Sequence, residues 1–274
     1  MRPEPPLAGH RLLIAYVGTG FHGWQRQAGH SSIQEEVEKV LAQIWKRPIS
    51  LEGSGRTDTG VHALAQPASF TAPRKLAAPV LLRALNDHLP AGIRVRRVDF
   101  LEPTFHARFD VAWKTYEYRV WNAPFTDPFQ QDRVWHVPVP LDLEAMRAAA
   151  AKLQGRHDFT SFASNPGYAR PSMTRHLKEL EVRRSGSLVT VRATADGFLY
   201  HMVRNLTGAL VAVGKGRLSP AELGRILSAR QRTAAPASAP AHGLYLKKVV
   251  YFPKAARLER AKNRKGRLPA AEVE

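Results

Sequence analysis

One short loop of this chain combines a carboxylate, a guanidinium and two glycines. It runs from Ser54 to Ala63 and reads Ser-Gly-Arg-Thr-Asp-Thr-Gly-Val-His-Ala. Because glycine adopts backbone angles that other residues avoid, Gly55 and Gly60 allow the chain to bend sharply on both sides of Asp58. The loop can therefore present this carboxylate to a ligand, and Asp58 is the leading catalytic candidate. The structural alternative is an Asx turn, in which Asp58 bonds only to nearby backbone.

A second charge, Arg204, stands in an otherwise apolar segment with helical spacing. An arginine in a largely buried helix is unfavourable unless a carboxylate compensates it. Asp58 is the obvious unassigned carboxylate, and pairing with Arg204 would lower its pKa and hold it ionised. The alternative is a helix end from which the Arg204 side chain extends to solvent.

The segment from Lys114 to Arg119 alternates as a strand does, which places Lys114, Tyr116 and Tyr118 on one face. Two tyrosines on one face are ordinarily core residues. On a basic protein, an aromatic ring at a cleft can instead stack on a base that has been taken out of its helix. Tyr116, beside the charged start of the strand, is the better candidate for that role.

The charge of the chain points to a polyanionic partner. Its 274 residues carry a formal net charge of +18, and 44% of them are hydrophobic, enough for a substantial core. From Lys254 to Glu274 there are seven Lys and Arg against three Glu, so most of the positive charge belongs to the folded body. Nucleic acid or an anionic membrane surface would fit this field.

Other features of the sequence indicate the cellular location of the protein and exclude several kinds of site. No run approaches the ~20 apolar residues that span a bilayer, and residues 1–6 lack the apolar core of a signal peptide. We therefore expect a cytoplasmic protein without a membrane partner. The chain has no cysteine, which excludes disulfides and thiolate sites, and its eleven histidines show no metal-ligand spacing. We therefore expect no metal site.

Hydrophobic periodicity predicts the order β-α-β-β-α-β, and predicts it twice. The predicted elements are strands 12–17, 49–52, 66–71 and 93–100 with helices 32–45 and 79–89, then strands 115–121, 177–183, 188–195 and 245–252 with helices 143–153 and 198–214, and an extra helix 220–229. This order predicts an α+β fold of two tandem ferredoxin-like lobes, each an antiparallel sheet with helices on one face, and a central cleft between them. We expect lobes at 1–105 and 106–253 and a basic, disordered tail at 254–274.

Residues 18–23 read Gly-Thr-Gly-Phe-His-Gly, the spacing of a dinucleotide-binding loop. That interpretation is rejected, because a dinucleotide site needs a helix to begin within the motif, and here the helix signal starts only at Ser32. Trp24, Gln25 and Arg26, which follow the motif, are better interpreted as a loop that faces the polyanion.

Together these motifs closely resemble the tRNA pseudouridine synthase A family. The resemblance extends in order from about residue 11 to residue 252 and rests on 23–27, 55–63, 105–109, 114–118, 157–162, 201–205 and 243–246. The Gly-Arg-Thr-Asp loop is specific in itself. One departure is Gln231, where the family commonly has Asp, which puts a local salt link in doubt.

The resemblance implies isomerisation of uridine to pseudouridine at positions 38, 39 and 40 of the tRNA anticodon stem-loop, by a homodimer without a cofactor. It implies that Asp58 is the catalytic aspartate, that Tyr116 stacks on the target base and that Arg204 pairs with the aspartate. Arg56 is then expected to contact RNA. Together with Trp24 and Gln25, the basic side chains Arg26, Arg108 and Lys114 are expected to position the RNA backbone.

Two other interpretations stay open at this point. One is a non-catalytic RNA-binding protein, for which the basic body suffices but the pairing of Asp58 with Arg204 has no purpose. The other is a nucleotide-dependent reductase that uses the loop at Gly18.

Overall fold

A computed structural model describes residues 6–73, 76–165, 167–168 and 171–265. The chain forms two compact units, and each consists of separate stretches of sequence. The first unit comprises residues 1–57, 63–112 and 249–274, and the second comprises residues 58–62 and 113–248. The main change from one unit to the other thus falls at 112/113, and the short segment that contains Asp58 belongs to the second unit.

The protein is of mixed α/β type, and its strands pair mostly antiparallel. Over the described residues the elements are, in chain order, β1 (Leu7–Tyr16), α1 (Ile33–Trp45), β2 (Glu52–Gly53), β3 (His62–Pro73), α2 (Ala78–His88), β4 (Ile93–Leu101), β5 (Val111–Trp121), β6 (Trp135–His136), α3 (Leu143–Leu153), β7 (Gly155–Asp158), β8 (Thr174–Ser185), β9 (Leu188–Ala195), α4 (Met202–Gly214), α5 (Pro220–Ala229), β10 (Leu244–Tyr251) and α6 (Lys254–Lys265). None of the helices in the described ranges is both long and apolar enough to cross a membrane.

In the first unit, β1 is the central strand of the sheet. It pairs antiparallel with β3 on one side and with β4 on the other, and β2 extends the sheet by pairing with β3. The alternating burial of β1 places Leu12 and Ile14 in the core, where neither is exposed to solvent. The core of this unit is completed by fully buried apolar residues of α1 and α2, among them Ile33, Leu41, Leu81 and Leu85.

The first helix begins where the sequence predicts. The Ser32 hydroxyl accepts a hydrogen bond from the Glu35 amide and so caps α1. Residues 18–32 precede it without helix, and Phe21 closes a turn by donating to the Gly18 carbonyl. The loop of glycines therefore lacks the helix N-terminus that a dinucleotide site requires.

In the second unit, β5 lies between β9 and β10, and β8 and β7 follow beyond β9. β5 pairs antiparallel with β9 from Lys114 to Trp121, and this register fixes the position of Tyr116 opposite Ala193. The apolar side of α4 is almost entirely buried, which explains why an unpaired charge in this helix would be costly. Fully buried residues of several elements fill the core, among them Tyr118, Met146, Phe159, Phe162 and Leu210.

The tail differs from the expectation of disorder over its first part. Residues Lys254–Lys265 form α6, although the mean hydropathy of this segment is low. The helix is held to the first unit by polar contacts, since Arg257 forms an ion pair with Glu102 at 2.8 Å and lies over the Phe105 ring. The segment contains too few apolar residues for a sequence pattern to predict a docked helix. Residues 266–274 lie outside the described residues.

Candidate active site

Asp58 lies at the beginning of a tight turn in the second unit. The Val61 amide donates to the Asp58 carbonyl at 3.1 Å, and Gly60 adopts a φ of +78°, an angle that favours glycine. These two features let the chain reverse immediately after the aspartate. No hydrogen bond joins the Asp58 carboxylate to backbone among the described residues, so the Asx-turn alternative is not observed.

Two cationic or ionisable side chains of α4 and its N-terminal cap approach Asp58. His201 Nε2 lies 3.3 Å and Arg204 Nη1 lies 3.7 Å from the Asp58 Oδ2 atom. Both contacts use the same carboxylate oxygen. Among the described residues no hydrogen bond is formed to Oδ1, which leaves this oxygen available to a substrate. The sequence-based pairing of Asp58 with Arg204 is observed as an ion pair.

His201 is a site residue that sequence reasoning did not single out. It caps α4 in the left-handed conformation, with a φ of 57°, which is uncommon for a residue other than glycine. The Tyr200 ring stacks on the imidazole with a centroid distance of 3.8 Å. The matched segment 201–205 contains His201, but its contact with Asp58 follows from a backbone conformation that the pattern of residue types does not reveal.

Arg204 is oriented by backbone as well as by Asp58. Its Nε donates to the Ala239 carbonyl at 2.8 Å, while its own carbonyl accepts from the Ala239 amide at 3.1 Å. Its side chain is only 16% exposed. Arg204 therefore does not extend to solvent, and the alternative of a solvated helix end is wrong.

Burial raises the pKa of Asp58 above its ordinary value, although the charges of His201 and Arg204 act to lower it. The expectation that pairing with Arg204 would dominate and lower the pKa of Asp58 is therefore wrong. The reason is geometric, since Arg204 approaches only to 3.7 Å while the carboxylate loses much of its hydration. Burial likewise lowers the pKa of His201, against the raising effect of Asp58.

Tyr116 lies close enough to the site to sense the Asp58 charge. Its ring is 8% exposed and packs edge-on against the Phe198 ring at 5.1 Å. Burial raises the pKa of the Tyr116 hydroxyl, and the Asp58 charge raises it further, so this hydroxyl stays protonated at any physiological pH. Tyr118, the other tyrosine on this face, is fully buried and belongs to the core.

A second carboxylate lies next to Tyr116 on the same strand and is surrounded quite differently. Glu117 Oε1 accepts from Arg119 at 3.2 Å, and Oε2 contacts Lys247 and, at 3.5 Å, Arg192. Burial acts to raise the pKa of Glu117, but Lys247 and Arg119 outweigh it and hold the pKa below its ordinary value. Both oxygens of this carboxylate are paired.

The residues expected to contact RNA have different surroundings. Arg56 and Arg108 are exposed, whereas Gln25 and Lys114 are half-buried. Arg26 is exposed but forms an ion pair with Glu38 at 3.3 Å. None of these placements tests an RNA contact.

Trp24 requires a correction. It was expected in a loop that faces the polyanion, but its side chain is only 2% exposed and lies in the core. It instead packs against Gly53, where an added Cβ would come within 2.5 Å of the indole. The Trp24 amide also donates to the Thr57 carbonyl at 3.0 Å. Trp24 thus supports the loop from within the first unit.

Within the described ranges, no group of three or more His, Asp or Glu side chains is arranged to hold a metal ion. The chemistry that the site itself offers is that of a carboxylate with one oxygen held and one available, beside a protonated phenol. Such a carboxylate can act as a nucleophile or as a base.

Comparison with known proteins identifies the family to which this site belongs. The sequence profile of a family described as tRNA pseudouridine synthase matches residues 12–110 and 149–252. The chain belongs to this tRNA pseudouridine synthase family. The pseudouridine synthase match includes Asp58, His201 and Arg204, all three of the residues that meet at the carboxylate.

Curated relatives agree with this family assignment. A protein named tRNA pseudouridine synthase A from Methylacidiphilum infernorum is 49% identical over 247 residues, which are 90% of this chain and 97% of that protein. Proteins with the same name from Paramagnetospirillum magneticum and from a Thermoanaerobacter species are 41% and 38% identical and match 88% of this chain each. These alignments cover 94% and 98% of the respective relatives.

Proposed function

We propose that this chain is an isomerase that converts uridine to pseudouridine at positions 38, 39 and 40 of the anticodon stem-loop of tRNA. The observation that carries the proposal is the arrangement around Asp58 in a member of this family. His201 and Arg204 both contact Oδ2, and the protonated hydroxyl of Tyr116 lies in the same buried site.

The reaction is redox neutral. The bond between the uracil N1 and the ribose C1′ breaks, the detached uracil turns, and a bond forms between C5 and C1′. The C5 proton passes to water and N1 takes up a proton from water, so the product is an isomer of the substrate. The chain's own groups supply an anion at Asp58 and a hydrogen-bond donor at Tyr116, and no external electron acceptor is needed. We therefore propose that the chain works without a cofactor.

Asp58 has three routes to begin this reaction. It attacks C1′ and gives a covalent sugar intermediate, or it removes a proton from the sugar C2′ so that uracil leaves. An attack on the base itself is a third route. Deuterium at C2′ distinguishes proton removal from both routes of attack, because only proton removal gives a primary isotope effect on turnover.

The target base lies within a folded stem-loop and must be extruded to reach Asp58. Extrusion costs a few kcal/mol, and stacking on an aromatic ring offsets about 1–3 kcal/mol of it. Tyr116 is the ring that we propose for this stacking. Basic side chains, among them Arg26, Arg56, Arg108 and Lys114, together with Gln25, are proposed to hold the RNA backbone, which would make affinity strongly dependent on salt.

We also propose the finer features of the architecture. The strand orders β4-β1-β3-β2 and β10-β5-β9-β8, each with two helices between the strands in sequence, support two ferredoxin-like lobes. A central cleft as the binding site stays a prediction. A homodimer is supported by Phe125 and Phe129, which are 85% and 88% exposed, because apolar groups of this size are frequently covered by a partner. A tRNA partner and the absence of cysteine support a cytoplasmic location.

The test is tritium release from tRNA that carries tritium at uridine C5. The wild type is expected to release tritium to water, Asp58→Ala to release none, and Glu144→Gln, which removes an exposed carboxylate of α3, to match the wild type. Release by none of the three, with tRNA still bound, would leave a non-catalytic RNA-binding protein. Turnover that requires a nicotinamide nucleotide would instead favour the reductase.

A further inference from the structure

One short segment of the second unit, residues 239–243, contacts both Arg204 and the turn that carries Asp58. Ala239, which is fully buried, accepts from the Arg204 Nε at 2.8 Å and donates to the Arg204 carbonyl at 3.1 Å. These two bonds join the segment to the guanidinium and to the helix that carries it. The orientation of Arg204 toward Asp58 thus depends on where Ala239 lies.

The same segment also contacts the turn that carries Asp58. His62 Nε2 lies 3.0 Å from the His242 carbonyl and 3.1 Å from the Asp132 carbonyl. Since both partners are acceptors, Nε2 carries the proton, and burial lowers the pKa of His62 and keeps the ring neutral. Gly60 lies against the segment as well, since a Cβ placed on it would be 3.5 Å from the Ala241 Cβ.

A third set of contacts fixes the segment to β5. The Tyr118 hydroxyl donates to the Pro240 carbonyl at 2.7 Å. Gly243 lies directly against the same ring, where an added Cβ would come within 2.5 Å of it. Tyr118 is fully buried, so this attachment point belongs to the rigid core.

We propose that residues 239–243 are positioning residues for catalysis, because they contact Arg204 directly and contact Gly60 and His62 of the turn that carries Asp58. This inference rests on the proposed function. It adds that the distance from Arg204 to Oδ2 is set by a segment that touches neither the carboxylate nor the reacting base. A displaced segment would leave the RNA-binding side chains unchanged and impair the chemical step.

Gly208 offers a way to displace the segment from outside the site. It lies in α4, and a Cβ there would overlap the Ala237 carbonyl oxygen and come within 3.2 Å of the Ala239 amide. Backbone cannot move aside as a flexible side chain can, so Gly208→Ala must shift residues 237–239. The helix itself would not suffer, since alanine favours helix over glycine by about 1 kcal/mol.

The first experiment compares Gly208→Ala with Gly224→Ala. Gly224 lies in α5 with no atom within 4 Å of an added Cβ, which makes it a matched control. For Gly208→Ala we expect kcat to fall about 10–100-fold, because a misplacement of the order of 1 Å can cost 10²-fold, while KM for tRNA changes less than about twofold. Gly224→Ala should match the wild type in both constants. Equal kcat values for the two variants would overturn the proposal.

A double-mutant cycle tests whether the effect passes through Arg204. If Gly208→Ala acts by disturbing Arg204, it should cost little further activity in the Arg204→Lys background. Full additivity of the two losses would contradict the proposed connection. If Gly208→Ala does not fold, Tyr118→Phe provides the test, because this change removes only the hydrogen bond from the Tyr118 hydroxyl to the Pro240 carbonyl. It should lower kcat several-fold, whereas Tyr251→Phe, which removes a hydroxyl bound to the Ala107 carbonyl, should not.

A readout that does not depend on turnover keeps the two proposals distinguishable. In a ¹⁵N spectrum of the arginine side chains, the Nε–H signal of Arg204 is assigned by its absence in Arg204→Lys. This signal should shift in Gly208→Ala and stay in place in Gly224→Ala. If the wild type releases no tritium, the proposed function is rejected, and the Arg204 signal still tests the positioning role. If the signal does not move in Gly208→Ala, the positioning role is rejected.

Discussion

Asp58 and Glu117, two carboxylates of the second unit, are both contacted by basic side chains. These side chains pair both oxygens of Glu117 but only one oxygen of Asp58. Glu117 has both oxygens paired, to Arg119 on one side and to Lys247 and Arg192 on the other. Asp58 has two partners on one oxygen, at 3.3 and 3.7 Å. The pKa of Glu117 consequently lies below its ordinary value, whereas burial holds that of Asp58 above it.

The comparison separates a carboxylate that stabilises the fold from one that is kept reactive. A lowered pKa means that the folded state favours the ionised form, and a raised pKa means that it disfavours it. Glu117 therefore contributes stability that is present above its ordinary pKa of 4.5 and is lost as the pH falls through the folded value. Asp58 contributes stability that is present below 3.8 and is lost as the pH rises through its folded value. Asp58 is thus ionised at the expense of folding stability, and in return one of its oxygens stays available to a substrate.

Asp58→Asn is expected to have the largest effect on turnover. Turnover should fall by about 10⁴-fold or more, because the reacting anion is gone. At neutral pH this variant should also be at least as stable as the wild type, since it removes a charge that the folded state disfavours. Tritium release and urea unfolding at pH 7 measure both. A clear loss of stability would show that Asp58 is a structural carboxylate after all and would break the comparison.

Glu117→Gln should show the reverse behaviour. It leaves Lys247, Arg119 and Arg192 without their shared anion, and removal of one partner from a buried ion pair typically costs about 3–5 kcal/mol. Turnover per folded molecule should stay within about twofold of the wild type. Urea unfolding at pH 7 and at pH 3 gives the check, because the difference between the variant and the wild type should shrink in acid. A constant difference across this range would argue against the ionic origin.

Tyr116→Phe sharpens the role of the third site residue. The raised pKa keeps its hydroxyl protonated and able to donate a hydrogen bond. Its removal should lower kcat by about 10²-fold if this hydroxyl transfers a proton. Stacking on the base is retained, and KM for tRNA should change little. Steady-state kinetics and a binding measurement with Asp58→Asn as the inactive reference decide the matter. Equal losses in binding and in turnover would reject the proton-transfer role of the hydroxyl.

His201→Asn tests the under-paired oxygen directly. Asparagine tolerates the left-handed backbone of this position, so the change removes the imidazole at little conformational cost. Because the charge of His201 lowers the pKa of Asp58, the acidic limb of the kcat/KM profile should move to higher pH. The other groups that act on His201 are Arg204 and Arg232, which stay unchanged.

Lys46→Asn is the control for that change, since Lys46 adopts a φ of 56° at the end of α1 in the first unit. Its pH profile should equal that of the wild type. If the acidic limb moves in Lys46→Asn as well, or in neither variant, the charge of His201 does not control the pKa of Asp58.

The smallest effect extends the comparison to cations. Arg26 is paired with Glu38, whereas Arg56 is exposed and forms no ion pair within the part of the chain that the structure describes. Arg56→Ala should therefore weaken tRNA binding and reduce the slope of log affinity against log salt by about 1, and Arg26→Ala should reduce it by less. Binding measured at several salt concentrations provides the slopes. Identical slopes for Arg56→Ala and the wild type would exclude a phosphate contact at Arg56.

Local signals were sufficient to predict most elements. α3 and β9 have the predicted bounds, because the Asp142 cap and the alternation from Leu188 to Ala195 are local features. The second strand was predicted at residues 49–52, whereas β2 is only Glu52–Gly53. The two-residue β6 and the four-residue β7 are too short to produce a periodic pattern. α6 was missed since it is held by arginines rather than by an apolar face.

The candidate site was predictable in part. Asp58 and Arg204 could be paired from sequence, because a charge in a buried helix requires a partner. His201 could not be placed, because its reach to Asp58 depends on a left-handed turn. Trp24 was expected in a loop that faces the RNA but is buried, because the residue type does not distinguish a tryptophan that supports a loop from one that faces a ligand. The raised pKa of Asp58 depends on burial, which no residue pattern quantifies.

The segment of residues 58–62 belongs to the second unit, while the sequence on both sides of it belongs to the first. During synthesis, Asp58 leaves the ribosome long before Arg204 and Ala239 exist. At about 5–20 residues per second, this interval is of the order of ten seconds. For that time the nascent chain carries a carboxylate with no partner and no activity. A fragment that ends before α4 would lack residues 249–274 of the first unit as well as Arg204 of the second, so it would complete neither unit and would have no ion pair at Asp58.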